Sequence, residues 1–183
     1  MPEALGALMP SRVLILGCGY TGVRVARTLL EMGVSVVATT RDSAGHFPEG
    51  MDLHRFDALR AEDLHQLSTL VENCEAVVCS IPTLRVGNHL VERVPDLVQA
   101  IRGKVSRFVY LSTTGIYGNQ HLVDATTSPA PVSSRECLRV EAEEAVLSGF
   151  DSPLVLRPAA IYGPWRGVHT SIPVSYTHLT LPT

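Results

Sequence analysis

Short apolar runs bounded by turn residues alternate along the chain with segments whose apolar positions recur every three or four residues. This alternation is typical of a parallel sheet covered by helices, because parallel strands need a crossover connection. The predicted strands span residues 12–17, 34–40, 52–56, 76–81, 107–112 and 153–157, and the predicted helices span 20–32, 60–72, 87–102 and 134–148. Right-handed crossovers then predict an α/β fold with a doubly wound parallel sheet in the order 3-2-1-4-5-6.

A glycine turn joins the first predicted strand to the first predicted helix, with the spacing G-x-G-x-x-G at Gly17, Gly19 and Gly22. Gly17 permits a sharp turn, Gly19 lets the backbone approach a pyrophosphate, and Gly22 lets the helix pack closely on the sheet. Free N–H groups at a helix N-terminus favour an anion without any lysine. We therefore expect a Rossmann dinucleotide site in which these glycines, Tyr20 and Thr21 hold the phosphates.

The end of the second strand bears on the identity of the dinucleotide. Sites for NAD normally have an acidic residue there, but this strand ends in Thr40 and Arg41. A guanidinium forms bidentate bonds to phosphate, so we expect Thr40 and Arg41 to bind NADP. NAD remains an alternative, because Asp42 follows immediately.

Further cofactor contacts are expected at the ends of the third and fourth strands. Asp57 follows the third strand and either lies near the adenine or begins the next helix as its N-cap. Ser80, Ile81 and Pro82 end the fourth strand, where small side chains let a cofactor lie close to the backbone.

Composition narrows the class of protein. The 183 residues, of which 45% are hydrophobic, suffice for one sizeable core. A net charge of −3 with scattered basic residues argues against nucleic acid or a membrane as partner. The four cysteines lack metal-ligand spacing, so we expect reduced, buried thiols in a cytoplasmic protein without a metal site. The oligomeric state stays open.

The last ten residues, 174–183, lack hydrophobic periodicity and charge. They match a translated adapter used in sequencing libraries, so we expect them to be a scar outside the fold. The dinucleotide-binding domain is then residues 1–173. This interpretation implies a truncated chain without its C-terminal substrate lobe.

Two further segments carry a family resemblance. Residues 111–118, Leu-Ser-Thr-Thr-Gly-Ile-Tyr-Gly, and residues 156–164, Leu-Arg-Pro-Ala-Ala-Ile-Tyr-Gly-Pro, follow the fifth and sixth predicted strands. Together with the glycine turn they resemble the extended short-chain dehydrogenases/reductases of the NAD-dependent epimerase/dehydratase type. The resemblance implies that Thr113 orients the substrate and that Pro158 to Ile161 pass near the nicotinamide.

The usual Tyr-x-x-x-Lys pair of that family is missing. Arg135 and Arg139 occupy its two positions, and the only lysine, Lys104, lies before the fifth strand. Arginine stays protonated and is no general base, although Arg139 could bind the ribose or a phosphate. The chain therefore resembles the atypical members of the superfamily.

Other groups are candidates for moving a proton. Tyr117 and Tyr162 are the preferred substitutes, acting with Thr113 as the catalytic residues, and His121 is a weaker candidate. Trp165 and Arg166 could begin a substrate pocket, whereas Glu141, Glu143 and Glu144 are expected to form an exposed helix face.

Two functions fit this pattern. The first is an NADP-dependent oxidoreductase or epimerase/dehydratase-like enzyme acting on a small molecule, with a nucleotide sugar as one candidate. The alternative is a non-catalytic NADP-binding sensor or scaffold protein, which needs only the binding site.

Overall fold

The computed structural model describes residues 9–42 and 44–167. Eight strands occur there, namely β1 (Arg12–Leu16), β2 (Ser35–Thr40), β3 (Asp52–Arg55), β4 (Ala76–Cys79), β5 (Leu84–Val86), β6 (His89–Val91), β7 (Arg107–Leu111) and β8 (Ser152–Leu156). Six of them form a parallel sheet in the order β3-β2-β1-β4-β7-β8. Since β7 and β8 are its fifth and sixth strands along the chain, the predicted order 3-2-1-4-5-6 is confirmed. The proposed scar at 174–183 lies outside the described residues.

Four α-helices connect the strands, namely α1 (Tyr20–Glu31), α2 (Ala61–Leu70), α3 (Val94–Ile101) and α4 (Ser134–Gly149). A 3₁₀ helix over Thr114–Tyr117 lies inside the stretch 113–133, for which the sequence predicts no regular element. The hydroxyl of Thr113 caps that helix by accepting a hydrogen bond from the Gly115 N–H at 3.1 Å.

The two faces of the sheet build separate cores. On one face, Leu14, Val77 and Phe108 pack with side chains of α2, α3 and α4. On the other face, Ile15 and Val36 pack with side chains of α1. Burial on both faces explains why the central strands are apolar runs rather than alternating patterns.

The predicted helix over 87–102 is wrong in its first half. Strands β5 and β6 pair antiparallel around Gly87 and Asn88, and Gly87 has a φ of 57°. A two-residue turn of this kind favours glycine and asparagine, because both tolerate positive φ. The helix begins only at Val94, with Pro95 in its first turn, where a missing N–H costs nothing.

Candidate cofactor and substrate site

A cavity of about 460 Å³ runs along the carboxyl ends of the central strands. It is lined by Gly17, Cys18, Gly19, Tyr20, Thr21, Thr39, Thr40, Arg41, Asp42, Phe56, Ala58, Ser80, Ile81, Pro82, Leu84, Leu111, Ser112, Arg139, Ile161 and Arg166. The structure thus brings together most of the residues predicted to bind a cofactor. This edge of an open parallel sheet is where such folds bind their ligands.

The glycine turn is locked onto the neighbouring strands. Gly17 has a φ of 83°, and a Cβ added there would lie 3.0 Å from Ile81 Cγ1. The Gly17 N–H donates to Thr39 Oγ1 at 3.1 Å, and the Ser80 hydroxyl donates to the Gly17 carbonyl at 2.6 Å. A Cβ at Gly22 would lie 3.0 Å from that same carbonyl, so α1 starts in close contact with the turn. Any larger residue at Gly17 or Gly22 would displace the loop.

The N-terminus of α1 faces this cavity without a cap. No side chain caps the helix, and its first turn contains no acidic residue. The first intrahelical bond runs from the Val23 N–H to the Gly19 carbonyl at 2.9 Å, which leaves the N–H groups of Tyr20, Thr21 and Gly22 without helical acceptors. A Cβ built on Gly19 meets no atom within 4 Å, so there is open space beside the loop. These features fit a diphosphate.

Cys18 lies within the turn and is 2% exposed. Burial raises the pKa of its thiol to about 11, so the thiol is protonated near neutral pH and puts no negative charge beside the loop.

Cys74 and Cys79 are also buried, as expected, but Cys137 is exposed, contrary to the prediction of four buried thiols. Among the described residues no cluster of side chains could hold a metal ion.

The end of β2 places a cation and a carboxylate side by side. Thr40, Arg41 and Asp42 all line the cavity. Asp42 is held by its own turn, because Oδ1 accepts a hydrogen bond from the Ala44 N–H at 2.9 Å. Arg41 is exposed and forms no ion pair with the described residues.

Asp57 lies outside the cavity lining. Its carboxylate accepts from the Leu59 N–H at 3.1 Å, and its own N–H donates to Asp63 Oδ2 at 2.6 Å, so Asp57 shapes the turn before α2. The N-cap of α2 is Arg60, not Asp57. The neighbours Phe56 and Ala58 line the cavity instead.

Arg139 forms part of the cavity wall. Its guanidinium donates to the carbonyls of Ile81 at 3.3 Å and Leu111 at 2.7 Å, and it pairs with Glu92 at 3.6 Å. The side chains of Arg139 and Glu92 are only 8% and 2% exposed. Arg139 therefore ties the ends of β4 and β7 together at the cavity wall.

Arg135, at the other position of the missing pair, lines neither this cavity nor the one beside it. Its guanidinium donates to the Thr83 carbonyl at 3.4 Å.

A second cavity of about 410 Å³ opens beside the first. It is lined by Ser112, Thr113, Pro158, Ala159, Ala160, Ile161, Tyr162, Arg166 and Gly167. Ser112, Ile161 and Arg166 border both cavities. The predicted residues Thr113, Pro158 and Tyr162 therefore share one space, which adjoins the cofactor cavity.

Tyr117 is separated from this group. Its hydroxyl accepts from Arg157 Nη1 at 2.8 Å and donates to the Asp124 carbonyl at 3.4 Å, and it lines neither cavity. Arg157 also pairs with Glu143, which is 2% exposed, so the predicted exposed glutamate face is wrong at this position. The catalytic role of Tyr117 remains a prediction, whereas its present contacts are structural.

Sequence reasoning missed Ser112, Phe56 and Ala58. Ser112 stands beside the signature threonine, so the only available signal was a second hydroxyl at the end of a buried strand.

No described helix is long and apolar enough to cross a bilayer.

Comparison with known proteins agrees with this architecture. The family described as NAD dependent epimerase/dehydratase family matches residues 13–177. The chain therefore belongs to the NAD-dependent epimerase/dehydratase family. No curated protein matches it.

Solved structures show the same fold. A putative NAD-dependent epimerase/dehydratase from Methylobacillus flagellatus is 30% identical with a TM-score of 0.71, over 85% of this chain and 56% of that one. The Bordetella bronchiseptica enzyme WbmH, in complex with NAD⁺, is 24% identical with a TM-score of 0.71, over 86% and 58%. UDP-glucuronic acid 4-epimerase from Bacillus cereus, in complex with NAD, is 19% identical with a TM-score of 0.68, over 83% and 57%. This chain thus spans little more than half the length of these proteins.

Proposed function

We propose that this protein is an NADP-dependent oxidoreductase or epimerase-like enzyme of its family, acting on a small molecule such as a nucleotide sugar. The family supports a nicotinamide dinucleotide, and the solved structures WbmH and UDP-glucuronic acid 4-epimerase contain NAD. The proposal depends on one observation above all. The uncapped start of α1, the locked glycine turn and the unpaired Arg41 line one continuous cavity.

The preference for NADP follows from the end of β2. Arg41 has no ion pair among the described residues, whereas one carboxylate oxygen of Asp42 is already hydrogen-bonded to its own turn. A ribose 2′-phosphate at this end would gain charge-assisted bonds from a free guanidinium. A 2′-hydroxyl would find a carboxylate that is partly engaged, which disfavours NAD.

The cofactor, when bound, supplies hydride transfer at its nicotinamide ring. In the chain itself, the backbone N–H groups at the start of α1 bind the diphosphate, and Arg139 holds the ends of β4 and β7 in register. Thr113 is the hydroxyl that orients the reacting oxygen of the substrate, and its hydrogen remains available because the oxygen acts as acceptor in the 3₁₀ cap. Tyr162 lines the same cavity and is the better placed of the two predicted tyrosines to exchange a proton there.

Arg41→Asp tests the cofactor assignment. A charge-assisted bond to phosphate contributes about 1.5–3 kcal/mol, so the variant should bind NADP roughly tenfold to a hundredfold more weakly. Its affinity for NAD should stay equal or rise. The measurement is a titration followed by the fluorescence of the single tryptophan, Trp165.

Arg85→Asp is the matched control, because Arg85 is an exposed arginine outside both cavities. Equal losses for NADP and NAD in Arg41→Asp, or the same loss in the control, would contradict the assignment. Binding of NADP without hydride transfer to or from any nucleotide sugar would instead favour the sensor or scaffold. In that case the glycine turn and Arg41 would hold the nucleotide, since Arg135 and Arg139 already donate to backbone carbonyls.

A further inference from the structure

The second cavity has an unusual set of walls. Its described lining contains three hydroxyl side chains, Ser112, Thr113 and Tyr162, and one cation, Arg166. The remaining lining residues are apolar or glycine, and none is acidic. A space with hydroxyl donors, one guanidinium and no opposing carboxylate favours a ligand that carries negatively charged oxygen.

Ser112 provides an independent sign of a ligand. The residue is 6% exposed, and its Oγ has no hydrogen-bond partner among the described residues. A buried hydroxyl without a partner destabilises the folded state, and buried polar atoms in folded proteins are usually hydrogen-bonded. Because Ser112 borders both cavities, a ligand at their junction would lie next to this residue. The adjacent Thr113 hydroxyl already accepts one bond within the chain, so the two hydroxyls are not equivalent.

Arg166 is held at the same junction by a tight turn. Gly163 and Arg166 exchange both backbone hydrogen bonds at 2.9 Å. The guanidinium carbon of Arg166 lies 5.1 Å from the centre of the Tyr20 ring, and the Tyr20 hydroxyl donates to the Pro164 carbonyl at 3.2 Å. Arg166 is exposed and forms no ion pair among the described residues, so its guanidinium is free to bind an anion at the cavity wall.

From these contacts we propose that the second cavity binds an anionic oxygen group of the substrate, a phosphoryl or a carboxylate. Arg166 supplies the positive charge, and Ser112 donates a hydrogen bond. The inference deepens the proposed function and rests on it, because the first cavity is taken by the cofactor. Arg166 is thus a specificity-determining residue that selects acidic substrates over neutral ones, and Ser112 is a positioning residue.

The test is an anion titration of the full chain, with and without saturating NADP⁺. Inorganic phosphate and acetate are the probes for the phosphoryl and carboxylate sources, at constant ionic strength, and Trp165 beside Arg166 is the fluorescent reporter. At least one probe should give a saturable signal when NADP⁺ is present. Arg166→Gln should weaken that probe about tenfold or more, because a charge-assisted bond is lost.

Arg24→Gln is the matched control. Arg24 also stacks on Tyr20, with its guanidinium carbon 3.5 Å from the ring centre, but it lines neither cavity. Its probe affinity should equal that of the parent chain. Ser112→Ala should weaken the same probe while leaving the free energy of unfolding equal or higher, because it removes a buried polar atom that lacks a partner in the chain.

Several outcomes would overturn the proposal. One is the absence of a saturable signal for either probe, and another is an equal loss of probe affinity in Arg24→Gln and Arg166→Gln. A third is a loss in Arg166→Gln that affects only the affinity for NADP⁺, which would assign Arg166 to the cofactor diphosphate. Failure of NADP⁺ itself to bind would be seen separately in the Arg41 experiment. The effect of Arg166→Gln on probe affinity would then be measured in the chain without cofactor.

Discussion

Arg157 joins three parts of the structure through one guanidinium. It donates to Glu143 Oε2 at 2.7 Å from Nη2 and at 3.1 Å from Nε, and to the Tyr117 hydroxyl at 2.8 Å. The bonds to Glu143 are the main reason that the pKa of Arg157 is raised above its usual value. The pair thereby connects α4, the 3₁₀ helix and the chain just after β8. These contacts fix the segment that leads from β8 to the second cavity.

Removing the cation should destabilise the protein strongly. Arg157→Met leaves Glu143, whose side chain is 3% exposed, without its partner, so the free energy of unfolding should fall by about 3 kcal/mol. Urea unfolding at neutral pH measures this change. The double variant Arg157→Met with Glu143→Leu should recover most of the loss, because no buried charge then remains unpaired. A double variant as unstable as the sum of its two single changes would refute this account.

At the scale of elements, α4 shows how a local sequence signal positions a site. Ser133 and Glu136 form a capping box: the Ser133 hydroxyl accepts from the Glu136 N–H at 3.3 Å, and Glu136 Oε2 accepts from the Ser133 N–H at 3.0 Å. Starting α4 at Ser134 puts Arg139 between the ends of β4 and β7. The spacing S-x-x-E is readable in the sequence, and it agrees with the predicted helix start at residue 134.

Ser133→Ala should lower the free energy of unfolding by about 1 kcal/mol, because one helix N–H loses its acceptor. The neighbouring Ser134→Ala serves as control, since Ser134 is exposed and its effect should stay within about 0.5 kcal/mol. Thermal or urea unfolding of both variants provides the comparison. Similar values for the two would show that the cap does not stabilise α4.

The capping box also has a pH dependence. Hydrogen bonds from the N–H groups of Val132 and Ser133 lower the pKa of Glu136 in the folded protein. Because the pKa of Glu136 is lower in the folded chain than in the unfolded chain, ionised Glu136 contributes to the free energy of unfolding at pH values above the ordinary carboxyl pKa. This contribution is lost as the pH falls through the pKa of the folded state. Because Ser133→Ala keeps the backbone N–H that bonds Glu136, the parent chain and the variant should both lose this contribution in acid.

At the scale of the whole molecule, the two faces of the sheet are unequally covered. Three helices cover one face, whereas on the other face α1 packs over β1 and β2. In β8, Val155 packs toward the first core, so the alternating neighbours Leu154 and Leu156 point to the opposite face, where they are 50% and 44% exposed. Among the described strands β8 is also an edge strand, so apolar surface and backbone groups without a strand partner coincide there.

This surface should make the chain self-associate as its concentration rises. Sedimentation velocity across a concentration series checks this prediction. Leu154→Lys with Leu156→Lys should return the protein to a monomer, because charged side chains on an edge strand oppose strand addition. A monodisperse, cooperatively folded parent chain at all concentrations would show that this face does not drive association.

The chain's own order of residues determined the alternation of strands and helices, the glycine turn and the strand order. These follow from short-range periodicity, backbone freedom at single glycines and the handedness of crossovers, all of which act within a strand–helix–strand unit of about 30 residues. The helix predicted at 87–102 is wrong only in its first half, because the turn at Gly87 interrupts an apolar period that continues through it, and Pro95 fits only the first turn of a helix.

The way in which distant side chains combine depends on the folded structure. Arg139 is tied to Ile81 and Leu111, and Ser112 and Arg166 line the same two cavities, although more than 25 residues separate the members of each set. Spacing along the chain carries no information about such contacts, because they arise when parallel strands align their carboxyl ends. Burial then leaves the Ser112 hydroxyl without a hydrogen-bond partner among the described residues, and this property exists only in the folded chain.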